Sequence, residues 1–149
     1  MPAPAPYVPG MFAFREGPVL VAALERLGRT PGVLLVDGAG RAHPRRAGLA
    51  THLGVVLGLP AVGCAKSRLL GTYDEVPPVR GTWSPLRDGG ETVGAVLRTR
   101  AGARPLFVSA GHRADLASAI ELVLRCATRF RIPEPLRAAD HAARAAASG

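Results

Sequence analysis

The sequence predicts an α/β fold in which helices flank a sheet that contains parallel strands. Residues 32–36 and 61–65 are short apolar runs, as expected of strands buried on both faces. Between them, residues 44–57 space their apolar side chains as a helix does. This strand, helix, strand order implies a right-handed crossover between parallel strands, and ligand sites in such sheets lie beyond the carboxyl ends of the strands.

The rest of the chain completes the sheet and its helical layers. Residues 1–6 are expected to be extended or disordered, because their prolines fix φ and remove backbone donors. The other predicted elements are a helix over 16–27, a hairpin of strands over 92–98 and 105–109, a helix over 114–129, and a surface helix or frayed tail over 136–149.

Size and composition predict one soluble domain over residues 1–149. Hydrophobic residues make up 48% of the chain and charged residues 20%, which is typical of a globular protein. No apolar run reaches the roughly 20 residues of a membrane span, and the first residues lack the pattern of a secretory signal. We therefore expect a cytoplasmic monomer without membrane contact, in which Cys64 and Cys126 are buried thiols.

Basic residues point to a polyanionic partner. The formal net charge is +8, carried by 18 arginines and one lysine, and such a surface attracts nucleic-acid phosphates. Lys66 is informative because every other basic position is arginine. Either this position requires a compact ammonium, which binds phosphate or water as a point charge, or the lysine is a chance surface residue.

Four polar residues suit metal-assisted phosphodiester hydrolysis. Asp37 follows the first predicted strand, Lys66 the second, His112 lies at a strand-to-helix turn and Glu16 at a helix start. Carboxylates hold Mg²⁺, which polarises phosphate and activates water. From spacing alone the alternatives stay open: Asp37 as a turn cap, Glu16 in a helix-dipole interaction, and His112 as a structural histidine.

Several linked motifs resemble one family from Tyr7 to about Pro135. In order along the chain they are Tyr7-Val8-Pro9-Gly10, Phe14-Arg15-Glu16, Val36-Asp37-Gly38, His43-Pro44-Arg45-Arg46, Gly63 to Lys66, and Gly111-His112-Arg113. This pattern is similar to that of the endonuclease V family.

The resemblance implies a ribonuclease H-like mixed sheet flanked by helices, and a nuclease of DNA repair that depends on Mg²⁺ or Mn²⁺. Such an enzyme cleaves the second phosphodiester bond on the 3′ side of deoxyinosine, in DNA or in RNA with the same base. By the same resemblance, Asp37 binds the metal directly and Glu16 binds the metal or its water. Lys66 and His112 then assist at the scissile phosphate.

Two further groups are expected to contact the nucleic acid. Tyr7, Pro9 and Gly10 would form a wedge that fills the space left by the displaced base, because a flat ring stacks there. For Tyr7 the alternative is packing against a mobile terminus. His43, Arg45 and Arg46 would begin the second helix and bind backbone phosphate, with capping and solvation as the alternative.

One departure from the family affects the expected activity. The family carries, ahead of the position matched by Tyr7, two strands and an aspartate that shares the metal with the residue matched by Asp37. We therefore expect the first strands to be missing and the metal site to lack one carboxylate. The alternatives are a non-catalytic nucleic-acid-binding remnant, and a small-ligand domain using the turn at 37–40, which lacks the fuller glycine pattern of dinucleotide sites.

Overall fold

The computed structural model describes residues 32–148, which form a mixed five-stranded sheet flanked by helices. The elements of this part are β1 (Leu34–Val36), α1 (Leu49–Leu57), β2 (Ala61–Ala65), β3 (Trp83–Asp88), β4 (Glu91–Leu97), β5 (Leu106–His112), α2 (Leu116–Cys126) and α3 (Glu134–Ser148). The strand order is β1-β2-β5-β4-β3. Strand β1 is parallel to β2, and the other pairs are antiparallel. The predicted α/β class, with its mixed sheet and helical layers, is confirmed.

Helices cover both faces of the sheet. Successive side chains of a strand point to opposite faces, and in β2 the side chains on both faces are apolar. Val62 and Cys64 of β2 pack in the cluster that buries α2 residues Ala119 and Val123. Ala61, which points to the other face, packs with Leu49, Ala50 and Leu53 of α1 in the described core. The β2 strand therefore lies between two apolar layers, as its continuous apolar sequence predicts.

The predicted hairpin of residues 92–98 and 105–109 is confirmed as the antiparallel pair β4–β5. The predicted helices over 114–129 and 136–149 are present as α2 and α3, with shifted ends. Strand β3 was not predicted. It contains Pro85, which a strand at the sheet edge tolerates, and it joins β4 through Gly89 and Gly90, both with positive φ.

The predicted start of the second helix at residue 44 is wrong, because α1 begins at Leu49 after the N-cap Gly48. Arg46 has a φ of 59°, a left-handed backbone that a helix cannot contain. Residues 38–48, here named the crossing segment, instead run across the sheet. Within it the backbone N–H of Gly40 donates to Ser109 Oγ at 2.9 Å, and that of Arg41 donates to the Ala110 carbonyl at 2.9 Å.

The crossing segment lies against the sheet without intervening side chains. A Cβ on Gly63 would lie 2.5 Å from the backbone nitrogen of Gly40 and 2.6 Å from the carbonyl oxygen of Gly38. Glycine at position 63 is therefore required by the close approach of two backbones. This contact fixes the turn that follows Asp37.

The predicted loop of residues 1–6 and the predicted helix of residues 16–27 lie outside the described residues. Of the two cysteines, Cys64 is buried as predicted, whereas Cys126 is only half-buried, so that prediction was wrong for Cys126. Among residues 32–148, no helix has the length and apolar composition that crossing a membrane requires.

Candidate active site at the carboxyl ends of β1 and β2

Asp37 and Lys66 meet at the carboxyl ends of the parallel strands β1 and β2. Asp37 follows β1 and Lys66 follows β2, and the parallel register pairs Val36 with Gly63, which brings the two strand ends together. Lys66 Nζ lies 3.1 Å from Asp37 Oδ2. Both side chains are about half exposed. The prediction that they emerge on the same edge is confirmed.

The floor beneath this pair is apolar. Cys64 is buried in β2, and burial, together with the negative charge of Asp37, raises the pKa of its thiol to about 12. The thiol therefore stays neutral under ordinary conditions, and it is not a nucleophile. Asp37 and Lys66 thus supply the charge at this end of the two parallel strands.

Helix α3 forms a second wall of the site. A cavity of about 280 Å³ lies between α3 and the end of β2, and its lining residues are Lys66, Ile132, Leu136, Arg137, Asp140, His141 and Arg144. Leu136 is buried in the core cluster, which anchors the helix. Asp140 pairs with Arg144 at 3.2 Å, one turn further along α3.

Sequence reasoning missed Asp140 and His141. The scattered charges of residues 136–149 predict a surface helix or frayed tail. The adjacent Asp140 and His141, in a segment rich in alanine and arginine, were the signal that this helix contributes polar side chains to a cavity. Their proximity to Lys66 depends on the docking of α3, which the sequence does not reveal.

The chemistry of these residues fits a hard divalent cation. Asp37 contacts Lys66, and Asp140 lines a cavity that Lys66 also lines, and carboxylate oxygens are the ligands that such a cation prefers. Within residues 32–148, however, no group of three His, Cys, Asp or Glu side chains is close enough to hold a metal ion. Glu16, the other predicted metal-binding carboxylate, lies outside the described residues.

The structure does not bring His112 to this pair. His112 ends β5 and pairs with Ala61, the first residue of β2, whereas Lys66 follows the last residue, Ala65. Four residues of a strand span about 13 Å. Its Cβ faces Gly54 of α1. The predicted role of His112 at the scissile phosphate stays a prediction.

The three predicted phosphate-binding residues, His43, Arg45 and Arg46, have different surroundings in the structure. His43 is buried, and its Nδ1 accepts a hydrogen bond from the backbone N–H of Arg45 at 3.1 Å. Arg46 binds Asp88 at 3.0 Å and Glu91 at 3.3 Å, which raises the pKa of its guanidinium, mainly through the Asp88 hydrogen bond. Arg46 therefore fastens the crossing segment to the β3–β4 hairpin, while Arg45 is exposed.

The predicted wedge residues Tyr7, Pro9 and Gly10 lie outside the described residues. The described part thus places Asp37 and Lys66 together, adds Asp140 across a cavity, and separates His112 from them. These features define an α/β protein with a site of carboxylates and an ammonium at one edge of a mixed sheet, an arrangement suited to phosphodiester chemistry.

Comparison with known proteins identifies the family. The family model of endonuclease V matches residues 1–141. An endonuclease V of Roseiflexus sp. (strain RS-1) is 57% identical over 135 residues, which are 91% of this chain and 61% of that protein. The chain belongs to the endonuclease V family. It spans about three-fifths of the length of the curated relatives it matches.

Solved structures give the same relationship. Endonuclease V from Streptomyces avermitilis matches with a TM-score of 0.92 at 48% identity, covering 96% of this chain and 63% of that one. Endonuclease V from Ciona intestinalis was solved in complex with a 24mer DNA containing an inosine followed by a ribo-adenosine. It matches with a TM-score of 0.83 at 30% identity, covering 98% of this chain and 69% of that one.

Proposed function

We propose that this chain carries catalytic residues of a metal-dependent endonuclease that cuts nucleic acid at deaminated adenine. The cut falls at the second phosphodiester bond on the 3′ side of deoxyinosine. The observation that carries the proposal is the Asp37–Lys66 pair at the joined ends of β1 and β2, within a chain of the endonuclease V family. The Ciona relative, solved with inosine-containing DNA, supports the substrate class.

Each residue of the site has a separate task. Asp37 would hold Mg²⁺, or Mn²⁺ in its place, with Asp140 and Glu16 as the further carboxylates. An ion held there would polarise the phosphodiester and activate a water molecule. The ammonium of Lys66 has three donors, so it can bind Asp37 and a phosphate oxygen at the same time. Lys66 thereby orients the carboxylate and offsets the charge of the phosphate.

The surface charge supports a nucleic-acid partner. The net charge of +8 favours association with phosphates, and Arg45 is exposed within the crossing segment. Arg137 and Arg144 line the cavity beside Lys66, where guanidinium groups can bind phosphate oxygens. RNA containing the deaminated base is a substrate of the same chemistry.

A nicking assay tests the proposal. A duplex labelled at the 5′ end and carrying a single inosine is incubated with the chain in Mg²⁺ or in EDTA, beside a duplex with adenine at that position. We expect cleavage of the inosine duplex in Mg²⁺ alone, at the second bond on the 3′ side. Asp37→Asn should abolish it, because the amide removes the charge that binds the cation. Equal cleavage by Asp37→Asn and by the parent chain would contradict the assigned metal site.

A second candidate function is recognition without cleavage. It is favoured by one observation, that residues 32–148 contain no complete three-residue metal group. A gel-shift assay on the same two duplexes separates the candidates. Selective binding of the inosine duplex without Mg²⁺-dependent nicking would support recognition alone, whereas nicking supports the endonuclease.

A further inference from the structure

Arg131, which lies between α2 and α3, binds the backbone at the end of β2. Its Nη2 donates to the Lys66 carbonyl at 2.9 Å and to the Pro105 carbonyl at 3.2 Å, and its Nε donates to the Arg104 carbonyl at 2.7 Å. One guanidinium thus joins the residue after β2 to the residues just before β5. These strands are neighbours in the sheet.

The backbone of Arg131 is itself anchored. Its carbonyl accepts a hydrogen bond of 2.6 Å from the Thr99 hydroxyl, and Thr99 is buried. The next residue, Ile132, lines the cavity together with Lys66 and Asp140. Arg131 therefore lies in the segment that leads into α3 and contacts the residue that follows β2, next to the cavity.

We propose that Arg131 is a positioning residue, which holds the backbone of Lys66 so that its ammonium meets Asp37 across from α3. This inference rests on the proposed function for its catalytic consequence. The effect on the Lys66 side chain is independent of that function. Arg131 does not touch the reacting atoms, and it acts through Lys66.

The geometry requires arginine. Its rigid planar fork presents donors in different directions, which suits three separated carbonyl oxygens, whereas an ammonium on a flexible stem offers them from one point. Burial lowers the pKa of Arg131, and the nearby charge of Arg104 lowers it further. Losing this side chain would leave three carbonyls with fewer donors at a partly buried strand end.

The chain offers a clean reporter and a matched control. Lys66 is the only lysine, so selective ¹³C labelling of lysine gives a single side-chain Cε resonance. Arg98 also donates to three carbonyls, those of Pro77, Ala103 and Val76, at 3.2, 2.5 and 2.6 Å. Arg98→Met therefore removes a comparable set of hydrogen bonds, none of which involves Lys66 or Arg131.

The experiment compares the Lys66 resonance in the parent chain, Arg131→Met, Arg98→Met and Asp37→Asn. We expect Arg131→Met to move the resonance from the parent position towards that of Asp37→Asn, because the ion pair is disturbed. Arg98→Met should leave it in place. An unmoved resonance in Arg131→Met, or an equal movement in Arg98→Met, overturns the proposal.

A second variant covers the case in which Arg131→Met does not fold. Thr99→Val keeps the shape of the side chain and removes only the donor to the Arg131 carbonyl. We expect a smaller movement of the Lys66 resonance in the same direction. The absence of any movement in a folded Thr99→Val chain counts against the proposal.

Cleavage of the inosine duplex provides the catalytic readout. In a single-turnover assay we expect Arg131→Met to lower the cleavage rate by on the order of tenfold to a hundredfold, as a misplaced catalytic group does. The affinity for the duplex and the rate of Arg98→Met should stay at the parent values. If the parent chain does not cut, the proposed function fails, and the Lys66 resonance still decides the role of Arg131.

Discussion

Lys66 Nζ and Asp37 Oδ2 lie 3.1 Å apart, and the two side chains are 47% and 50% exposed. An ion pair this exposed contributes only about 0–1 kcal/mol to folding, so the pair can be removed without unfolding the protein. We therefore expect Asp37→Asn to lower the cleavage rate by about a hundredfold or more, while the thermal unfolding midpoint stays near that of the parent.

Glu121→Gln is the control for that experiment, because it breaks another exposed ion pair, with Arg125 on α2 at 2.6 Å. Its cleavage rate should equal that of the parent chain. A similar loss of rate in Glu121→Gln would mean that the assay reports a general charge effect instead of the site.

Gly63→Ala tests the contact between β2 and the crossing segment. The added methyl group would meet the backbone of Gly38 and Gly40, which cannot rotate away as a side chain does. We expect a loss of about 1–3 kcal/mol in the free energy of unfolding, measured in urea, together with slower cleavage because the turn after Asp37 shifts. Gly32→Ala, which places its methyl group where no heavy atom lies within 4 Å, should change neither quantity.

Arg46 allows a test of backbone strain. Its φ of 59° is unfavourable for every residue except glycine, by about 1–2 kcal/mol for an L-residue. Arg46→Ala and Arg46→Gly lose the same hydrogen bonds to Asp88 and Glu91. We expect the glycine variant to be more stable than the alanine variant by about 1 kcal/mol. Higher stability of the alanine variant in urea unfolding would show that the left-handed backbone is not retained.

Cys64 predicts how stability changes at alkaline pH. The pKa of its thiol is about 12 in the folded chain and about 8.5 in an unfolded one. A raised folded pKa contributes stability that is fully present below the unfolded pKa and is lost as pH rises towards the folded one. We therefore expect the unfolding free energy of the parent to fall more steeply above about pH 8.5 than that of Cys64→Ala.

Urea titrations of both chains over that alkaline range measure this difference. Cys126, which is only half-buried, serves as the internal comparison. Cys126→Ala should retain the steep fall of the parent. Identical slopes for Cys64→Ala and the parent would place the Cys64 thiol in a solvated environment.

The sequence was most informative where local pattern and burial coincide. β1 and β2 are continuous apolar runs, and the polar residues that follow them, Asp37 and Lys66, had to emerge at one edge once the strands are parallel. β3 could not be predicted from alternation, because Trp83 to Asp88 mixes exposed and buried residues around Pro85, and only the turn signal at Gly89 and Gly90 marks its end.

The conformation of residues 44–48 and the position of Asp140 depend on contacts between residues far apart in the sequence. Pro44 suits the first turn of a helix, and arginine and alanine, which fill positions 45–47, favour a helix, but Arg46 is held by Asp88, 42 residues away in the sequence. Likewise, Asp140 comes near Lys66 only because α3 docks through Leu136. No local pattern contains such long-range pairings, so neither the Arg46–Asp88 contact nor the approach of Asp140 to Lys66 could be predicted from neighbouring positions.

The direct contact between the crossing segment and the sheet limits how this protein can vary. Gly63 of β2 and Gly40 of the crossing segment lie where an added Cβ would strike the backbone of the facing element. Saturation mutagenesis should therefore recover almost no viable substitutions at these positions, whereas surface sites on α2 accept many. A substitution that shifts the backbone near Asp37 would then be tolerated only together with a second substitution that lets the facing backbone shift as well.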